Sequence, residues 1–293
     1  VKRTVMPSTT DPAIDQYDFA HTVYINKLTP AQGNLFVFLP GTWALGLAYT
    51  DILQTAANLG IPAIGLTYPN WVEIDSTCKT ANDLDCHKKI RTEIISGTND
   101  SPVIVVNQIN SISNRLVKLL AYLHNQYPVE GWGQFINVYG GINWSNVVIG
   151  GHSQGAGHAA FIAKNHLVHR CLMFSWIDFS YTNNRIALWV SKPGVTPAAA
   201  YYGFTHLDDK LVPYFLVYPP TWTALGMDQF GPTISINTSD QFVTSSHMLV
   251  TNLPARKSAH GATVVDASTP LAADSIPVFA NAWRYMLVGW PMH

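Results

Sequence analysis

The stretch Asn146-Val-Val-Ile-Gly-Gly-His-Ser-Gln-Gly-Ala-Gly-His-Ala-Ala160 decides how this chain is read. It opens on an apolar, β-branched run, Val147 to Ile149, that suits a buried strand. It then passes through Gly151-His152-Ser153-Gln154-Gly155 and leaves on small residues that predict a helix from Ala156 to about His166. A strand turning this sharply into a helix forces the residue at the turn into a strained backbone conformation. A glycine two residues to either side relieves the clash with the neighbouring strand and helix. The Ser153 hydroxyl is thereby exposed at a helix N-terminus, where developing negative charge is favoured. Ser153 is the candidate nucleophile.

Outward from this stretch, apolar strand-like runs alternate with helical patterns. His21 to Lys27 reads as an early strand, and Asn34 to Leu39 as a continuous apolar run stopped at Pro40-Gly41, as expected of a strand buried on both faces. Tyr49 to Leu59 has helical spacing through Ile52, Leu53, Ala56, Ala57 and Leu59, with Gly60 as its cap, and Ile61 to Leu66 is the next strand. Asn110 to Tyr127 predicts the clearest helix: Ser111 or Ser113 caps it, Leu116, Leu119, Leu120 and Leu123 face inward, and Pro128 ends it. Val168 to Trp176, Ala200 to His206 and His247 to Thr251 read as further strands. Ser275 to Val288 reads as a closing helix with Pro277 in its first turn. The alternation predicts an α/β fold, a mainly parallel central sheet flanked by helices, spanning 1–293 as one domain. Residues 70–102 are polar and irregular, and are expected to form a decorated loop or lid insertion.

Composition narrows the function classes. Charged residues make up 12% of the 293, against about 25% in an average soluble domain, and the net charge is −1. There is no basic footprint for nucleic acid, and no apolar stretch long enough to span a membrane. The opening Val1-Lys2-Arg3-Thr4 lacks the apolar core of a signal peptide, which points to a cytoplasmic or already processed chain. Cys78 and Cys86 flank a polar stretch and are expected to close a small disulfide loop, while Cys171, in an apolar run, is expected to be a buried free thiol. With three sequons, at Asn99, Asn143 and Asn237, the pair favours a secreted or periplasmic location. His87 alone beside the cysteines, and His166, His169 and Cys171 straddling an element boundary, do not make a metal site. No metal or cofactor is expected.

The order of elements, the string Gly-His-Ser-Gln-Gly-Ala-Gly-His-Ala-Ala over 151–160, the segment Asp209-Lys-Leu-Val-Pro213 and the late His260-Gly261 resemble the α/β-hydrolase superfamily, over roughly residues 20–290. The string at 151–160 looks like a poorly characterised, esterase-like branch of it. The resemblance implies a serine hydrolase acting on a carboxylic ester of a small-molecule or lipid-like acyl group, with a triad in the chain order Ser, Asp or Glu, His. Among the histidines well downstream of Ser153, His206 lies within a strand-like run and His247 opens the last one, while His293 ends the chain. His260 follows the last strand and is the expected base, with His247 its rival. For the acid, the spacing Asp-x-x-Val-Pro selects Asp209, with Asp208 the close alternative and Asp178 a distant third. Oxyanion donors are expected from the backbone amides of Gln154 and of Thr42, in the loop Leu39-Pro-Gly-Thr-Trp43. Where many lipases and esterases carry His-Gly-Gly-Gly, this loop reads Leu-Pro-Gly-Thr, which argues against bulky tertiary-alcohol esters.

Trp43, Trp71 and Trp176 fall in expected loops or at strand ends, and together suggest an apolar or aromatic substrate pocket. His152 and His158 are read as the variable position of the turn and a helix residue, without catalytic roles. Two rival functions stay open: the same constellation used for a lyase, C–C hydrolase or acyltransferase reaction, and a non-catalytic binding module.

Overall fold

The computed structural model describes residues 1–289 except 80, 177, 181, 182, 242 and 244. Among these, the strands are β1 (Lys2–Val5), β2 (His21–Tyr24), β3 (Leu35–Leu39), β4 (Ala63–Gly65), β5 (Val147–His152), β6 (Arg170–Phe174), β7 (Phe179–Ser180), β8 (Arg185–Ile186), β9 (Tyr201–His206), β10 (Ile234–Ser235) and β11 (Met248–Thr251). The helices are α1 (Pro7–Thr10), α2 (Thr50–Asn58), α3 (Ile74–Cys78), α4 (Cys86–Ser96), α5 (Ile112–Gln126), α6 (Gln154–Asn165), α7 (Tyr214–Ala224) and α8 (Ala280–Val288). Nine strands form one sheet in the order β1-β2-β4-β3-β5-β6-β9-β11-β10, and β7 and β8 form a separate ribbon. Every pairing from β4 through β10 is parallel, while β2 runs antiparallel to β4 and to β1. The expected mainly parallel α/β sheet is present.

The period-two alternation of β3 shows why both faces must be covered. Leu35, Val37 and Leu39 enter one apolar layer with α4, α5 and α6, whereas Phe36 and Phe38 enter the other with α2 and α8. On α5, Leu116, Leu119, Leu120 and Leu123 are fully buried, each worth about 2 kcal/mol of burial. Ser111 caps that helix by accepting from the Asn114 amide. From β3 the chain goes to β4 on one side through α2, and later returns to β5 on the other side. The sheet order therefore switches direction between β3 and β5, and in open parallel sheets that crevice, at the carboxyl ends of the strands, is where ligands bind. The Thr42 loop leaves β3 there, and Ser153 leaves β5 there.

Two stretches differ from expectation. Residues 70–102 are not an irregular loop: they contain α3 and α4, and α4 buries His87, Ile90, Arg91, Glu93, Ile94 and Ile95. The polar composition concealed this because the Glu93 carboxylate is satisfied internally, accepting from the Ser101 and Val106 amides. The Cys78–Cys86 disulfide joins the end of α3 to the start of α4, and Cys171 is free and buried. The closing helix starts only at Ala280, because Ser275 adopts φ 65° and Pro277 bridges back to Leu271. No helix among the described residues is long and apolar enough to cross a membrane.

Candidate active site

Ser153 sits between β5 and α6 with φ 53° and ψ −124°, a conformation a non-glycine residue holds only under surrounding constraint. Its amide donates to the Phe174 carbonyl at 2.8 Å, which fastens the turn to β6. A Cβ on Gly151 would collide with Gly155, and one on Gly155 with the Leu39 carbonyl, so both glycines are required by close backbone approach. A Cβ on Gly157 would strike the Arg91 guanidinium and the Trp176 indole.

His260 and Asp209 come together from separate loops. His260 Nδ1 lies 2.7 Å from Asp209 Oδ2. The other carboxylate oxygen of Asp209 accepts from the Leu211 amide at 2.9 Å and the Val212 amide at 3.4 Å, so the turn after β9 orients this carboxylate. Asp209 is buried and Asp208 is exposed. His206, the strand residue, directs Nε2 at the Leu253 carbonyl, 2.7 Å away. His247 is stacked between Tyr202 and Phe230 at the opening of β11, and His293 lies outside the described residues.

Ser153, Gln154, His260 and Thr42 line one cavity with Ile74, Arg91, Leu211 and Val212, and with the carboxylates Glu73 and Asp75. Of the loop amides, Gly41 N–H donates to the Tyr49 hydroxyl at 3.1 Å and Trp43 N–H to the Asn70 carbonyl at 3.4 Å. Thr42 is left as the amide of the three with no described commitment. Gln154 opens α6, where a backbone N–H has no intrahelical acceptor. Its side chain has a further job: Oε1 accepts from the Thr42 hydroxyl and from the Ile74 amide, each at 3.2 Å, tying the Thr42 loop to α3.

Beneath the turn is a buried ion pair that the sequence did not reveal. Arg91 Nε donates to Asp178 Oδ2 at 2.7 Å, a second guanidinium nitrogen donates to Oδ1, and Nη1 donates to the Gln154 carbonyl at 3.0 Å. Trp189 Nε1 donates to the same carboxylate at 2.8 Å. Burial opposes the Asp178 charge, but Arg91, His87 and these hydrogen bonds outweigh it and hold the carboxyl below its usual range. Asp178, considered as a third acid, is thus committed to Arg91. No local pattern marks Arg91; only its contact with Gly157 shows in hindsight why a glycine stands there.

The three tryptophans are not among the described residues lining the cavity. Trp176 is buried against Trp189, Trp71 packs beside Tyr17, and Trp43 is 69% exposed at φ 60°. This cavity is walled by Ile74, Leu211 and Val212 and rimmed by the carboxylates Glu73 and Asp75.

His152, the variable position of the turn, contacts His260 directly. Its Nδ1 lies 3.0 Å from the Tyr49 hydroxyl and its Nε2 2.9 Å from the His260 carbonyl oxygen. Burial, and then the nearby His260, push its pKa down to about 3, so it is neutral at physiological pH. His158 is also fully buried, and burial with the Arg91 charge keeps it well below the usual histidine range. Among the described residues, no group of three or more His, Cys, Asp or Glu side chains could hold a metal ion. No protein-family model matches the chain, and no curated protein matches it.

Proposed function

We propose that the protein is a serine hydrolase of the α/β-hydrolase type, cleaving a carboxylic ester or a related acyl compound through an acyl-enzyme on Ser153. The observation that carries the reading is one cavity lined both by a serine at positive φ and by a histidine whose Nδ1 rests on a buried carboxylate.

With Nδ1–H donated to Asp209, the His260 lone pair is on Nε2, the nitrogen that accepts the Ser153 proton. Ser153 Oγ then attacks the carbonyl carbon, and the Thr42 and Gln154 amides take the oxyanion. Collapse breaks the bond to the leaving oxygen, which departs with the proton from His260. Water, deprotonated by the same imidazole, attacks the acyl carbon, and Ser153 regains its proton as the acid leaves. Protein groups and one water per turnover balance this cycle. The acyl group is that of a small-molecule or lipid-like ester. The disulfide suits an oxidising compartment, and a secreted or periplasmic location is part of the proposal.

The test is a series of p-nitrophenyl esters of increasing chain length, with fluorophosphonate labelling followed by peptide mapping. Turnover with the label on Ser153, both lost in Ser153→Ala, is expected. A label on another serine would refute the assignment, and labelling without ester turnover would move the reaction to another acyl chemistry.

A further inference from the structure

The partners of His152 assign the direction of its hydrogen bonds. The His260 carbonyl oxygen can only accept, so His152 Nε2, 2.9 Å away, carries the proton. A neutral imidazole has one ring proton, so Nδ1 is bare and accepts the Tyr49 hydroxyl at 3.0 Å. The Tyr49 oxygen in turn accepts the Gly41 amide at 3.1 Å. A directed chain thus runs from Gly41 N–H through Tyr49 and His152 to the His260 carbonyl. Tyr49 and His152 are both buried. A Cβ on Gly41 would press on His152 Nδ1 at 3.0 Å and on the Ser153 Cβ at 3.3 Å, so the Thr42 loop lies flat against this chain.

Each end of the chain is one bond from the proposed chemistry. Gly41 precedes Thr42, His152 precedes Ser153, and His260 is held on its ring by Asp209 and on its backbone by His152. We propose that Tyr49 and His152 are positioning residues that fix the Thr42 amide, the Ser153 hydroxyl and the His260 imidazole at one set of mutual distances. This rests on the serine hydrolase reading above. Tyr49 and His152 are not among the described residues lining the cavity, so their effect is on the geometry in which the reacting groups meet. Misplacing such groups by about 1 Å costs on the order of 100-fold in rate.

The test uses the intact protein with short p-nitrophenyl esters, all rates referred to titrated Ser153. Tyr49→Phe, which keeps the ring and removes the hydroxyl, is expected to lower kcat by about 10- to 100-fold with KM changed less than about twofold. His152→Leu is expected to fall at least as far. His152→Gln, whose amide still donates to the His260 carbonyl but which lacks the Nδ1 acceptor for Tyr49, should lose no more than Tyr49→Phe and less than His152→Leu, a partial rescue that packing alone would not give. The combined Tyr49→Phe/His152→Leu variant should be no slower than His152→Leu, because both break one chain. Rates within twofold of the parent for Tyr49→Phe and His152→Leu, or equal losses for His152→Gln and His152→Leu, would overturn the proposal.

A readout independent of turnover keeps it falsifiable if these variants misfold. Nitrogen-15 NMR of the parent protein should show His152 as the Nε2–H tautomer with a slowly exchanging proton; an Nδ1–H tautomer would refute the chain. Failure of Ser153 to label in the parent would instead sink the hydrolase reading, and is scored separately.

Discussion

Asp178→Asn tests the ion pair under the turn. The substitution keeps the shape of the side chain but removes the charge that compensates Arg91, which is itself buried with Asp178. Breaking one partner of a buried pair costs about 3–5 kcal/mol, because the remaining charge is left without compensation. Loss of the strong acceptor for Trp189 Nε1 acts in the same direction. Taking about 4 kcal/mol, and an unfolding entropy of about 2.1 cal/mol/K per residue over 293 residues, the melting temperature should drop by about 6 °C. Because Arg91 also holds the Gln154 carbonyl, the surviving folded fraction should turn over more slowly as well. Differential scanning calorimetry, with kcat referred to titrated serine, measures both. The double substitution Arg91→Met/Asp178→Leu should recover much of the lost stability, since a buried pair replaced by apolar groups is often neutral. An Asp178→Asn protein melting within 1 °C of the parent would show that the pair carries no such burden.

Asp209→Asn should lower kcat by about 1,000-fold or more, because the imidazole loses the carboxylate that fixes its tautomer, whereas Asp208→Asn should stay within about threefold. Equal or reversed losses in folded variants would move the acid. His21 and His152, each pushed down to about 3 by burial, and His158, also held well below the usual range by burial, are neutral when folded but protonate in the unfolded chain near 6.5. Stability present above about pH 6.5 is therefore lost as pH falls toward their folded values, with a slope of on the order of 4 kcal/mol per pH unit near pH 5. A melting temperature unchanged between pH 7 and pH 5 would contradict this.

Much of the architecture was legible because it rests on local rules. The apolar runs at β3 and β5, the leucine spacing and Ser111 cap of α5, and the paired glycines around Ser153 each specify their element within a few residues. The Cys78–Cys86 bridge was legible for the same reason, since its partners are close in sequence. Where polar residues are buried, local rules misread the chain. Arg91 and Glu93 look like the surface of an irregular loop, yet α4 buries both and finds their partners on other elements. Sequence places Trp176 at a strand end but does not show that Trp189 packs against it and leaves it buried.

The sequence alone determined that a serine would stand on a strained turn between a strand and a helix, since neighbouring glycines and side-chain periodicity are properties of adjacent residues. Motif spacing favoured Asp209 over Asp208, and position after the last strand favoured His260 over His247, but neither rule shows two side chains meeting. Only the tertiary structure decided which of them meet. The turn after β9 directs the Asp209 carboxylate toward His260 and leaves Asp208 in solvent, while aromatic stacking occupies His247. It also made His152 a contact of His260, 108 residues away. Contacts over such distances depend on how the sheet stacks its strands, and no pattern within a short window encodes that.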